Sequence, residues 1–319
     1  MAIDKSTHLQ EVLDTHKMIH IDGLVTKHKD KRDEIRKILE DKYSGNIYTI
    51  FNSGSFGKHT AINIKFDLDL VVPFKRESFS TLQEMFDDVF SVLEEEYKDV
   101  ATIRKQKVSI GVIFNEDNDG DVINIDIVPG RELSKDDYPE SRDLNLYFNE
   151  DHWGFAKGTY TKTNIQAQID HIKAKVDERK VIRLLKIWKN TNHEKYKSFL
   201  LELITIKAFD KENISGSLWD KLKSVLEYIK DNVEKDDFTL KDPGNSNNDV
   251  VKSLESIERT WLSNKMKNII DRIEDNDENI KSYFPINDDF KKEEEPTDSS
   301  YGIKGTTIIP SIPNNQRFG

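Results

Sequence analysis

The run Phe66-Asp67-Leu68-Asp69-Leu70-Val71-Val72 constrains the fold more than any other stretch of the chain. Apolar and acidic residues alternate with the period of a β-strand, which sends Asp67 and Asp69 to one face and Phe66, Leu68 and Leu70 to the other. Two ionised carboxylates side by side repel each other and need a positive partner, and hard divalent cations such as Mg²⁺ suit an oxygen-rich pair of this kind. Alternation alone is equally the pattern of a half-exposed strand with its polar face in water.

A third acid recurs in the same setting. In VINIDIVPG the residues Ile123, Ile125 and Ile127 alternate with Asp126, so Asp126 leaves the strand on the face opposite the isoleucines. Three carboxylates are what two-metal phosphoryl transfer requires: one ion activates the attacking hydroxyl and the other holds a triphosphate. Asp126 is the candidate nearest the nucleophile, as a metal ligand or as the proton acceptor. Upstream, NSGSFGK sets Gly54 and Ser55 at a strand-to-helix turn, where backbone N–H groups and a hydroxyl can cradle phosphate oxygens. Gly-Ser, eleven residues, Asp-x-Asp and a later strand Asp form an ordered pattern distinct from the Walker spacing.

The rest of the chain supplies an α+β frame. Two helices are expected over 8–44, a strand–turn–strand unit up to Phe74, an amphipathic helix from Leu82 with Ser80 as its cap, and a hairpin spanning VSIGVIFNEDNDGDVINIDIVPG. From 164 to 285 the apolar spacing is helical throughout, as in VIRLLKIWKN and FLLELITIKAF. Beyond Pro285 the sequence turns polar and aperiodic, which predicts a mobile tail. The 319 residues contain no cysteine, which excludes thiolate catalysis and cysteine-bound zinc, and the net charge of −11 disfavours gripping long nucleic acid. No run is apolar and long enough for a membrane span and the N-terminus lacks a signal-peptide core, so a cytoplasmic protein is expected.

With these residues assembled, the chain resembles the polymerase-β-like nucleotidyltransferases, and within them the cGAS/DncV-like group that includes oligoadenylate synthetases and bacterial anti-phage (CBASS) enzymes. The resemblance covers roughly residues 45 to 285. It implies an N-terminal spine helix within 1–44, a catalytic core with a twisted mixed sheet over 45–160, a helical domain over 161–285 and a tail over 286–319. VIRLLKIWK looks like the family helix whose lysine contacts the triphosphate, here Lys186. KSFLLELITIKAF looks like the next one, where Ser198 would contact phosphate and Phe199 would stack on a base. LKDPGNSNNDV resembles a cleft segment represented by Asp242, Pro243, Asn245 and Asn248. Read without the resemblance, Lys186 is a solvated helix lysine, Phe199 a core aromatic, and Asp242 and Asn248 turn or cap residues.

The resemblance further implies two Mg²⁺ or Mn²⁺ ions on Asp67, Asp69 and Asp126, with ATP, GTP or pyrimidine nucleoside triphosphates as substrates. A cyclic di- or trinucleotide would be the product, made by a monomer in anti-phage signalling. The chain ends QRFG, and Gly319 has the small, unhindered form that an E1/E2-like conjugating partner would require. Two alternatives stay open: an RNA-tailing nucleotidyltransferase of the same superfamily, and a non-catalytic nucleotidyltransferase-like interaction protein.

Overall fold

The computed structural model describes residues 3–149 and 159–291. The chain opens with helices α1 (Lys5–Thr15) and α2 (Asp22–Lys42), followed by the short strand β1 (Phe51–Asn52), the single turn α3 (Gly54–Gly57) and strand β2 (Leu68–Phe74). Helix α4 (Leu82–Tyr97) leads to β3 (Ala101–Lys105), β4 (Ile110–Phe114) and β5 (Asn124–Glu132). After α5 (Tyr138–Ser141), β6 (Leu144–Phe148) and β7 (Thr159–Thr163), the chain becomes helical: α6 (Ile165–Lys173), α7 (Val176–Thr191), α8 (Ser198–Lys211) and α9 (Leu218–Asn232). A small hairpin, β8 (Lys241–Asp242) and β9 (Asn245–Asp249), precedes α10 (Ser256–Asp275) and α11 (Ile280–Tyr283).

Strands β1 to β7 make one mixed sheet in the order β1-β2-β5-β4-β3, with β6 on β5 and β7 on β6. The β2–β5 pair is parallel and the other pairs are antiparallel. A parallel neighbour needs a crossover, and α4 with the β3–β4 hairpin provides it. Helix α4 starts where Thr81 accepts from the Glu84 N–H, one residue later than Ser80; Ser80 instead donates its N–H to the Glu84 carboxylate. Its Met85, Phe86, Val89 and Leu93 recur on one face and bury against the sheet.

The buried side chains fall into two large clusters. One lies on the sheet and gathers Leu68, Leu70, Val72 and Phe74 of β2, Ile125 and Ile127 of β5, the α4 face, and Ile35 and Leu39 of α2. The other is helical, built by α7 to α10 together with Leu9, Val12 and Leu13 of α1. The two N-terminal helices therefore divide between the clusters. Ile286, Asn287 and Phe290, read from sequence as the start of the tail, pack on this side: the Asn287 N–H donates to Thr15 Oγ1 and the Phe290 ring stacks on His20 at 5.0 Å. The rest of that tail, with Gly319, lies outside the described residues. Among the described residues no helix is long and apolar enough to cross a membrane.

Candidate active site

Register brings the acids together. Parallel pairing of β2 with β5 sets Asp69 opposite Asp126, while Leu68 and Leu70 face Ile125 and Ile127. Asp67 lies one residue before β2 begins, two positions from Asp69, and is half-buried. The sheet thus buries one face of both strands and presents the three carboxylates where the strands start.

Gly54 closes on this cluster. The Ser53 N–H donates to the Asp69 carbonyl at 2.8 Å, which draws the α3 turn against β2. Gly54 has φ of 58°, and a Cβ there would stand 1.7 Å from Asp69 Oδ2. Only glycine meets both the left-handed backbone and the contact. Ser55 follows within the same turn, and its carbonyl accepts from the Thr60 N–H at 2.9 Å.

Electrostatics follow from the crowding. Burial, then the charges of Asp67 and Asp126, push the Asp69 carboxyl up to about 7, against the pull of Lys58 and Lys186. Burial and Asp67 push Asp126 up to about 6, while a hydrogen bond from Gln106 and the charges of Arg104 and Lys65 oppose the shift. Carboxylates raised in this way hold uncompensated negative charge, and an all-oxygen donor set fits Mg²⁺ or Mn²⁺.

The cations come from the helical side. Lys186, on the polar flank of α7, is buried rather than solvated: it is 7% exposed and donates to the Thr60 carbonyl at 2.8 Å. Burial pulls its ammonium down to about 8, although Asp67 and Glu202 hold the charge in place. Lys189, one turn on, donates to Ser198 Oγ at 2.9 Å at the start of α8. Phe199 is half-buried against the helical cluster, and the Lys58 ammonium lies 4.5 Å from its ring centre. Asp242 and Asn248 bond to each other across the β8–β9 hairpin, where Asp242 also accepts from Gln168 Nε2 and from the Gly244 N–H. That network fixes the hairpin on α6; the bonds of Asp242 and Asn248 stay within it.

Several residues at the site carry no motif. Gln106 Nε2 donates to Asp126 Oδ1 at 2.9 Å, and Ser109 Oγ donates back to Gln106 Oε1 at 2.9 Å. Gly111 pairs with Asp126 across β4–β5, and a Cβ there would meet Gln106 Nε2 at 2.6 Å. The glycine inside the apolar run IGVIF is the one sequence signal for this support, since strand glycines mark close approaches. Lys58 pairs with Glu202 of α8 at 2.8 Å, with both side chains 8% exposed.

A second acidic group lies in the turn between β4 and β5. Asp117, Asp119 and Asp121, in the β4–β5 turn, each place a carboxylate oxygen within 4.8 Å of the others, an arrangement that could hold a metal ion. Among the described residues it is the one group of three drawn so closely, so the β2–β5 acids stand further apart. Lys27 of α2 fills the turn, with its ammonium 2.7, 2.6 and 2.7 Å from the three carboxylates.

Comparison with solved structures matches the fold that carries these residues. The E. coli MS115-1 CdnC structure with ATP superposes with a TM-score of 0.63 at 19% identity, covering 83% of this chain and 91% of that one. The Vibrio cholerae DncV cyclic AMP-GMP synthase, a prokaryotic cGAS homologue, gives 0.56 at 13% identity, covering 85% and 79%. The chain has the cGAS/DncV-like nucleotidyltransferase fold. A curated relative, the CBASS oligonucleotide cyclase CdnC of Escherichia coli (strain KTE188), is 27% identical over 226 residues. The match spans 66% of this chain and 66% of that relative's length, just under two thirds. No protein-family model matches the chain.

Proposed function

We propose that this cGAS/DncV-like nucleotidyltransferase joins nucleoside triphosphates into a cyclic di- or trinucleotide second messenger, with release of pyrophosphate, in cytoplasmic anti-phage signalling. The observation that carries the reading is Asp69 opposite Asp126 in the β2–β5 register, with Gly54 pressed onto Asp69. Support for the product class comes from the CdnC relative, which is an oligonucleotide cyclase.

In this reading residues 45–160 carry the acids and 161–285 hold the nucleotide. Two divalent cations, Mg²⁺ or Mn²⁺, would be held by Asp67, Asp69 and Asp126 and would supply the positive charge that a polyphosphate and three carboxylates need. Asp126 is fixed at Oδ1 by Gln106, which leaves Oδ2 to engage the attacking ribose hydroxyl. Gly54 and Ser55 offer backbone and hydroxyl to phosphate oxygens. Lys186 and Ser198 hold the β- and γ-phosphates; a lysine titrating at about 8 is still largely protonated at neutral pH. Phe199 presents a ring to a base, and the Asp242–Asn248 hairpin borders the acceptor side. Holding the ribose hydroxyl in line with the α-phosphate is the main contribution of such a scaffold. A cyclic product requires the linear intermediate to turn over and react a second time in the same cleft. Gly319, beyond the described residues, would be the point of attachment for an E1/E2-like partner.

The test is direct. The protein is incubated with the four nucleoside triphosphates and Mg²⁺ or Mn²⁺, treated with phosphatase, and the surviving products are identified by mass spectrometry. A phosphatase-resistant cyclic oligonucleotide is expected, and Asp67→Asn with Asp69→Asn should abolish it while far-UV circular dichroism stays unchanged. Label retained only on added RNA would replace this reading with RNA tailing, and no triphosphate consumption would replace it with an interaction protein.

A further inference from the structure

A cavity opens between α1, α3 and α7. It encloses about 500 Å³, within the usual range of small-ligand sites. His16, Lys17, His59, Lys180 and Arg183 line it, and no carboxylate is among its lining residues. In a chain of net charge −11, a cavity whose only ionisable lining residues are bases runs against the general field and favours an anion.

The bases differ in what they can still offer. Lys17 is paired with Asp14 at 2.6 Å. His16 Nδ1 lies 2.7 Å from the Val12 carbonyl, so that nitrogen carries the proton, and burial favours the neutral ring, which leaves Nε2 as an acceptor for a donor group of the ligand and not for a phosphate oxygen. Arg183 reaches the His59 carbonyl through one nitrogen at 3.5 Å, a long contact that leaves most of its guanidinium donors for a bidentate acceptor such as phosphate. His59 itself has φ of 56°, a left-handed backbone that non-glycine residues rarely adopt and that is often kept at ligand sites. Gln10 adds one neutral polar side chain and the rest of the lining is apolar: Leu13, Met18, Ala61 and the half-buried Phe56 ring, which offer a surface for a base.

We propose that this cavity is a nucleotide-binding site separate from the carboxylate cluster, with Lys180 and Arg183 on the phosphates and the base against Phe56 and Met18. Its position gives it leverage on the acids. Arg183 and Lys186, one turn apart on α7, hold the successive carbonyls of His59 and Thr60, within the segment that joins Gly54 and Ser55 to Asp67. A nucleotide that draws Arg183 away from His59 loosens one of those two holds, so occupancy regulates the reaction. That regulatory consequence rests on the catalytic reading; the binding claim does not.

The experiment is equilibrium dialysis of the full chain against labelled ATP in EDTA, where the carboxylate cluster has no cation to accept a triphosphate. About one equivalent should bind to the wild-type protein and to the Asp67→Asn, Asp69→Asn variant alike. Lys180→Glu with Arg183→Glu should weaken binding about tenfold or more, and the charge-keeping pair Lys180→Arg with Arg183→Lys should stay within about threefold of wild type. The second pair, together with thermal midpoints, separates loss of the site from loss of the fold. Binding in EDTA that is absent, that survives charge reversal, or that disappears with the Asp67 and Asp69 substitutions overturns the proposal. Tripolyphosphate competing as well as ATP would reduce the cavity to a phosphate site. Duplex DNA displacing ATP more effectively than unlabelled ATP would make it a nucleic-acid surface; either result overturns the nucleotide assignment. Failure to form a cyclic product with this binding intact would refute the catalytic reading and leave the site standing.

Discussion

Gly54 is glycine because the space a side chain would take belongs to an Asp69 oxygen. Gly54→Ala combines a left-handed residue, which costs about 1–2 kcal/mol, with a 1.7 Å clash that must displace either the α3 turn or the carboxylate. Displacing a reacting group by about 1 Å can cost roughly 100-fold, so kcat/KM for product formation should fall by about that factor while urea denaturation shows only the smaller loss. Asp69 makes a second prediction, about pH. Its folded carboxyl titrates near 7, above the usual carboxylate value, so the folded state binds the proton more readily than the unfolded chain does. This contribution to stability is full below about pH 4 and is lost as pH rises towards 7. In EDTA, the wild-type protein should lose stability relative to Asp69→Asn between pH 5 and pH 8, measured as the difference in urea midpoints; a flat difference would mean that the carboxyl is not raised. The three acids were legible in sequence because a strand has a period of two, so alternation alone fixes the face. Gln106 was not, because its bond to Asp126 depends on how β4 aligns with β5, and one sequence does not state a register.

At the scale of elements, α3 and α8 are joined by the Lys58–Glu202 pair beneath the Phe199 ring. Both partners are nearly excluded from water, so removing one strands the other's charge. Glu202→Gln should destabilise by about 3 kcal/mol, and Lys58→Met combined with Glu202→Leu should recover most of the loss, as read in a double-mutant cycle from urea titrations. Additive losses would mean that the two side chains act independently. The elements themselves were mostly visible in the sequence. Helices α4, α7 and α8 follow from apolar spacing, and the β4–β5 hairpin from the Asn/Asp/Gly turn between alternating runs. Lys186 shows where that logic stops. Its place off the apolar face of α7 is a solvent position for an isolated helix, but the α3–β2 segment covers that flank and buries the ammonium. Asp117, Asp119 and Asp121 likewise read as turn formers, because the lysine that gathers them lies some ninety residues earlier in the chain.

For the whole molecule, the acids stand on the sheet cluster while Lys186 and Ser198 stand on the helical one, so a bound triphosphate would touch both. Trp188 and Trp219 lie in the helical cluster and Trp261 on α10, so once the fourth tryptophan is replaced as Trp153→Phe, indole fluorescence reports on that half, whereas far-UV circular dichroism reads both. A non-hydrolysable ATP analogue with Mg²⁺ at about 100 times its Kd should add about 2.7 kcal/mol. Both probes should shift to higher urea together; a shift in fluorescence alone would place the nucleotide on the helical half only.

The lysine in the β4–β5 turn has a consequence of another kind. A counter-ion that is covalently part of the protein cannot be diluted away, chelated or exchanged for another. Helix α2 and the turn leading into β5 therefore keep their mutual grip in a metal-starved cell as well as in a metal-rich one, and on the proposed reading the supply of divalent ions would govern the chemistry without governing the scaffold that carries it.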